Sequence, residues 1–164
     1  MKIHDPQLQN QNSTGERRVL AVSSGGGHWI QLMMLKAAFE RHQCSFASER
    51  TAYAKEVPGS RFYTLKKANR WNPFLLLILS LELLGIVVRE RPDVVISTGA
   101  ACGVFAIVLA KIILRSKTIW IDSIANCSHL SLSGRLVKPF ADIWLTQWQH
   151  LAHTEGADYW GRVF

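Results

Sequence analysis

A doubly wound α/β domain with an all-parallel sheet is predicted from three observations. Short apolar, β-branched runs alternate with helical periods along the chain, two of those runs end in a small-residue loop that opens a helix, and the polar loops all follow strand ends. Alternation of this kind implies right-handed crossovers and places ligands beyond the carboxyl ends of the strands.

The first strand begins at Arg18 to Ser23, and Gly25-Gly26-Gly27 turns it into a helix expected over about Trp29 to Arg41, with Leu32, Leu35, Ala38 and Phe39 on one face. Short strands are expected at about Ser45 to Ala47 and Arg61 to Leu65, separated by the turn signal Val57-Pro58-Gly59-Ser60. After the basic connector from Lys66 to Trp71, residues Phe74 to Val88 are apolar almost all round, with a narrow polar strip of Glu82, Gly85 and Arg89. Pro92-Asp93 opens the strand Val94 to Ser97, and Thr98-Gly99 leads into a small-residue helix, Ala100 to Leu114. Thr118 to Asp122 and Ala141 to Leu145 are the last strands expected, with a polar segment, Asp122 to Gly134, between them and a short helix from about Gln147.

The 164 residues and 48% hydrophobic content suit one compact domain, read as residues 18–164. Met1 to Arg17 is polar, lacks the apolar core of a signal peptide, and is read as a disordered lead-in. A formal net charge of +7 and a pI near 9.7 favour an anionic partner: phospholipid, a pyrophosphate-linked substrate or nucleic acid. Three cysteines, odd in number and in no C-x-x-C pair, indicate neither a disulfide framework nor a zinc ribbon, and fit a reducing cytoplasm.

Four motifs carry chemistry. Ser23 to His28 puts backbone free of side chains before a helix N-terminus, where N–H groups and the positive dipole end attract phosphate; the competing reading is a tight turn. No Gly-Lys-Ser/Thr follows, and Ile30 stands where a dinucleotide fingerprint has its third glycine, so neither nucleotide motif is met. His28, near the helix start, is a candidate general base, because the dipole favours a neutral ring that can accept a proton; it could equally be a cap. The second loop, Ser97-Thr98-Gly99, suits close approach by a sugar or phosphate, or simple capping. Asp122-Ser123 with Asn126 offers a carboxylate, a hydroxyl and an amide together, the mixture a sugar hydroxyl needs. The spacing of His150 and His153 could begin a metal site, but nothing completes it and no metal is expected.

A helix over 74–88 would be about 22 Å long at 1.5 Å per residue, short of a hydrocarbon core of roughly 30 Å. Its flanks, Lys66, Lys67, Arg70, Trp71 and Phe74 before it and Arg89 and Arg91 after it, suit anionic headgroups at a membrane surface. Burial between sheet and neighbour is the alternative.

Taken in order, Ser24-Gly25-Gly26-Gly27-His28, the run Pro92 to Gly99, residues 122–136 (DSIANCSHLSLSGRL) and the ending Gln147-Trp148 to Tyr159-Trp160-Gly161 resemble the Alg14/PssD family over about residues 18–164. That resemblance implies a Rossmann-like domain, the acceptor-binding half of a MurG-type GT-B glycosyltransferase, with the donor half supplied by an Alg13/PssE-like subunit docked on the carboxyl-terminal segment. It implies transfer of a sugar from a nucleotide donor, held mostly by that partner, to a polyprenyl-pyrophosphate-linked acceptor at the cytoplasmic membrane face, with no cofactor and no nucleic acid. His28 and Asp122 would then be catalytic, and Ser24, Gly25, Gly26, Gly27, Ser97, Thr98, Gly99, Ser123, Asn126 and Arg135 would bind substrate. Relatives often carry Arg at the position of Asn126, so Arg135 or Lys138 would replace a phosphate contact. Rival readings are a non-catalytic membrane recruiter of a partner enzyme and, from the fold alone, a nucleotide-dependent oxidoreductase.

Overall fold

The structure is a computed structural model that describes residues 15–68 and 71–163, so residues 1–14 of the tail expected over residues 1–17 and the membrane contact expected of Arg70 lie outside the described residues. The elements run β1 (Arg18–Val22), α1 (Gly27–Met34), β2 (Gln43–Ser48), β3 (Arg61–Thr64), α2 (Pro73–Glu90), β4 (Val94–Ser97), α3 (Ala100–Leu114), β5 (Lys117–Ile121), α4 (Leu132–Val137), β6 (Ile143–Thr146), α5 (Gln149–Glu155) and β7 (Asp158–Tyr159). All described strands form one parallel sheet, ordered β3-β2-β1-β4-β5-β6-β7. The winding reverses between β1 and β4, which opens a crevice at their carboxyl ends.

The period-2 alternation of the strands divides the core into two layers. Leu20 and Val22 of β1, Val95 of β4 and Trp120 of β5 face α2 and α3, while Val19, Ala21, Ile96 and Ile121 face α1. Helix α2 starts where the sequence supplies a cap. Asn72 accepts a hydrogen bond from the Leu75 N–H at 3.1 Å, and Pro73 occupies the first turn, where its missing N–H costs nothing. It stops at Arg91, which is left-handed (φ 45°) just before Pro92. Leu79, Leu83, Ile86 and Val87 are buried; Phe74, Leu77, Leu81 and Val88 form an exposed apolar stripe. One face of the helix is thus buried between sheet and neighbour, and another is left exposed. Among the described residues no helix is long and apolar enough to cross a membrane.

The first helix is shorter than its periodicity predicts. It ends at Met34 and tightens into a 3₁₀ turn, Lys36–Ala38, that carries Phe39 into the core beside Phe46 (ring centroids 6.2 Å apart). Burial of that ring outweighs continued helix, consistent with about 1.5–3 kcal/mol for a large apolar side chain. A second 3₁₀ segment, Thr51–Glu56, and the edge strand β7 carry no periodic signal and are new.

At the end of the sheet away from the crevice, three carboxylates tie neighbouring elements together and are held below their usual range. Burial alone would raise Glu90, but hydrogen bonds from Ser45, Tyr63 and Arg61 outweigh it. Arg18 lowers Asp93. Burial would raise Asp142, yet Lys111 and Thr118 prevail. Each such group adds stability that is complete above the unfolded-chain value near pH 4 and is lost as pH falls through its lower folded value. Urea unfolding should accordingly give equal stability at about pH 7 and 5.5 and less at about pH 3.5. A flat profile down to about pH 3 would contradict these tethers.

Candidate functional site

The crevice at the sheet reversal is closed by contacts between the β1 and β4 loops. His28 Nδ1 lies 2.9 Å from the Thr98 carbonyl oxygen, and Thr98 Oγ1 donates to the His28 carbonyl at 2.7 Å. A carbonyl only accepts, so Nδ1 carries a proton and the lone pair of the neutral ring sits on Nε2. Gly99 makes the arrangement possible. Its φ is +145°, and a Cβ there would collide with Cε1 and Nδ1 of the histidine ring. The next residue, Ala100, also has a positive φ of 68°, a strained conformation of the kind that clusters at functional loops. Ser97 is buried and its Oγ accepts from the Gly99 N–H at 3.3 Å, so it shapes the loop from within. Burial pushes the Cys102 thiol, in the first turn of α3, up to about 12, which leaves it inert as a nucleophile.

The glycine loop is held from the other side by a segment that the sequence did not flag. Tyr53 Oη accepts from the Gly26 N–H at 2.9 Å, and its ring stacks on Trp29 at 4.6 Å. Trp29 Nε1 in turn donates to Glu56 at 2.8 Å. Gly25 lies against the Arg50 side chain, where a Cβ would come within 3.3 Å of Nε. Gly25, Gly26, Glu49, Arg50 and Lys67 line a cavity of about 340 Å³. The cations beside the glycines are thus Arg50 and Lys67. Arg135, expected as a phosphate contact, instead pairs with Glu155 at 3.3 Å, and Lys138 Nζ lies 4.6 Å from the centre of the Trp144 ring.

Asp122 is only 2% exposed, and its carboxylate receives four donors. They are Ser131 Oγ at 2.5 Å, Ser131 N–H at 2.8 Å, and Trp120 Nε1 and Asn126 Nδ2 at 3.3 Å each. Ser131 Oγ also caps α4 by accepting from the Gly134 N–H. The Asp122 carbonyl receives Gln31 Nε2 at 3.2 Å and Gln147 Nε2 at 3.0 Å, both from buried side chains. Where the sequence suggested a carboxylate, hydroxyl and amide open to a ligand, the structure has Asp122 and Asn126 bonded to each other within a buried knot. Ser123 Oγ serves its own turn by accepting from the Ala125 N–H at 3.3 Å. The link from this segment to α1 is the Asp122 backbone carbonyl bonded by Gln31, whereas His28 is bonded to Thr98.

At the carboxyl-terminal segment, Val163 N–H donates to Gln147 at 3.1 Å and the Arg162 guanidinium lies over Trp148 at 4.5 Å. Beside them the exposed Met34 and Trp160 line a cleft of about 370 Å³. Among the described residues no three His, Cys, Asp or Glu side chains gather into a metal-binding group; His150 bonds the Cys127 carbonyl instead.

A family model described as "Oligosaccharide biosynthesis protein Alg14 like" matches residues 48–163, a span that includes the Ser97 and Asp122 loops and excludes the glycine loop. The UDP-N-acetylglucosamine transferase subunit alg14 of Schizosaccharomyces pombe is 32% identical over 130 residues, covering 72% of this chain and 55% of that protein. The subunit ALG14 of Eremothecium gossypii is 25% identical over 167 residues, covering 83% of this chain and 75% of that protein. This chain thus spans about half the length of the first relative and three quarters of the second. Among solved structures, MurG of Acinetobacter baumannii is similar with TM-score 0.65 and 14% identity, over 80% of this chain and 41% of that one. The UDP-N-acetylglucosamine 2-epimerase of Rickettsia bellii is similar with TM-score 0.66 and 14% identity, over 90% of this chain and 45% of that one. At such identity the likeness is one of fold.

Proposed function

The chain belongs to the Alg14-like family of oligosaccharide biosynthesis proteins, and from that premise we propose that it is the acceptor-binding subunit of a two-component glycosyltransferase. The observation that supports this most is the clamp on His28, which turns Nε2 into an available base at the mouth of the crevice. In this reading Nε2 takes the proton of the acceptor hydroxyl as that oxygen bonds to the anomeric carbon of the donor sugar. The bond from that carbon to the nucleotide diphosphate breaks, and the diphosphate leaves with the electron pair. The acceptor is a lipid-linked pyrophosphate, and UDP-N-acetylglucosamine is the donor to try first, because the curated relatives are named for its transfer. Asp122 acts as a positioning residue, its carboxylate fixing the start of α4 through Ser131 and its backbone carbonyl meeting Gln31 of α1.

An Alg13/PssE-like donor subunit would dock at the carboxyl-terminal cleft, where Met34 and Trp160 lie exposed. Peripheral attachment to the cytoplasmic membrane face would use Lys66, Lys67, Trp71 and the α2 stripe from Phe74. The charge reversal K66E/K67E is expected to weaken co-sedimentation with anionic vesicles severalfold at low salt, where a Debye length near 30 Å leaves surface charge unscreened. Unchanged sedimentation would remove the cationic part of the contact.

The decisive experiment is transfer from UDP-N-acetylglucosamine to a lipid-linked pyrophosphate acceptor by the co-purified pair. Product should require both chains. The α2 stripe alone would also suit a non-catalytic recruiter. That reading wins if the partner by itself, at high concentration, keeps full turnover and acceptor specificity.

A further inference from the structure

We propose that Gln147 and Trp148 are positioning residues that make the loop between β5 and α4 answer to the carboxyl-terminal cleft, so that a protein seated in that cleft fixes the loop beside the crevice. The identity of that protein rests on the docking reading given above; the coupling rests on bonds within this chain.

Residues 122–131 lie between β5 and α4 outside any helix or strand, so their backbone carbonyls must find partners elsewhere. The carbonyls of Asp122, Ile124 and Cys127 are met in order by side chains that follow β6. Gln147 Nε2 donates to the first at 3.0 Å, Trp148 Nε1 to the second at 2.8 Å and His150 Nε2 to the third at 2.7 Å. Further along α5, Glu155 accepts the Leu130 N–H at 3.0 Å. The loop is therefore held along its length from α5 and the residues that lead into it.

The first two of these residues face two ways. Gln147 is 1% exposed, and the oxygen of the same amide accepts the Val163 N–H at 3.1 Å. The Trp148 ring lies against the Arg162 guanidinium at 4.5 Å. One amide and one indole thus each join residues 162–163 to the loop, with no side chain between. Gly161 turns the chain towards them with a φ of +104°, a conformation that glycine adopts freely. Gln147, Gly161, Arg162 and Val163 also line the cleft. Trp160 and Arg162 are exposed, so this segment is the side that opens first, and its lifting frees the amide and the indole that hold the loop. A protein that covers the cleft presses the segment against Gln147 and Trp148, and a planar amide fixed at its oxygen is fixed at its nitrogen too. The loop in turn meets the helix that carries His28, because Gln31 of α1 shares the Asp122 carbonyl at 3.2 Å.

Amide hydrogen exchange of the full chain tests the coupling without a transferase assay. Arg162→Ala, at an exposed position, and Trp148→Phe, which keeps an aromatic ring but removes the indole N–H, should each speed exchange of the Asn126 and Leu130 amides by about fivefold. The Tyr53 and Leu65 amides, across the sheet, should keep their wild-type rates. Adding the donor subunit to the wild-type chain should slow the same loop amides by at least about tenfold. Trp148→Phe, whose ring is not part of the cleft lining, should still bind that subunit but lose most of the slowing, and in the pair it should raise the acceptor KM severalfold with the donor KM kept. Loop amides that ignore Arg162→Ala would overturn the proposal. So would equal acceleration at Tyr53 and Leu65, which would make these contacts general stability only, or full slowing by the subunit in Trp148→Phe. A loop that follows Arg162 in a pair that transfers no sugar would keep the coupling and sink the transferase reading; sugar transfer by a pair whose loop ignores Arg162 would do the reverse.

Discussion

His28→Ala is expected to lower turnover of the reconstituted pair by about 10²–10⁴-fold, the usual contribution of a positioned general base. The loss should fall on kcat, because proton removal occurs in the transition state, while acceptor affinity, carried by the glycine backbone and its neighbouring cations, stays near wild type. His28→Gln should be no better, since an amide cannot take the proton. Gly99→Ala provides an independent approach to the same group. It leaves the imidazole in the chain but drives a methyl into the place the ring occupies, at a φ that non-glycine residues rarely adopt. A comparable fall in turnover from both substitutions would tie catalysis to the placement of the ring. Turnover within about threefold of wild type in His28→Ala would remove the base from the mechanism.

The second large effect is on stability. Asp122→Ala leaves the Ser131 N–H and hydroxyl, Trp120 Nε1 and Asn126 without their common acceptor. Buried polar groups left unmatched cost about 1–3 kcal/mol each before relaxation, so a loss of about 3–5 kcal/mol in urea unfolding is expected. That is a large part of the 5–15 kcal/mol typical of a domain. Asp122→Asn should also destabilise, because its amide turns an N–H towards donors. Ser131→Ala should cost less, since only one link of the knot is broken, and Ser123→Ala close to nothing. If Asp122→Asn instead kept full stability and lost turnover, the carboxylate would belong with the chemistry.

Much of the fold was legible because its signals are local. The bounds of β4 and α3 coincide with the sequence reading, and the Asn72-Pro73 start and Arg91-Pro92 stop of α2 follow from capping and proline chemistry. The over-long first helix shows where periodicity loses authority: residues 35–39 continue the helical pattern, but Phe39 is worth more in the core against Phe46. At the site, His28 and the glycines could be singled out because a strand-to-helix loop with those residues has few other uses. Arg50 and Tyr53 could not. They lie in a 3₁₀ segment without a repeating pattern, and their place beside Gly25 and Gly26 depends on a strand pairing more than twenty residues away. Trp29 and Glu56, an aromatic and an acid facing each other across that loop, are the trace such a contact leaves, visible only once β2 lies beside β1.

The sequence by itself determined the doubly wound parallel class, the two strand-to-helix loops, the histidine that follows the first of them and the family resemblance, since each depends on backbone preferences or motifs written over a few adjacent residues. Tertiary structure alone decided what those groups touch. It locked the tautomer of His28 on Thr98, drew Asp122 into a buried knot and paired Arg135 with Glu155. Hydrogen bonds and burial act through space between residues distant in the chain, so the role of a polar side chain is settled only when its neighbours arrive.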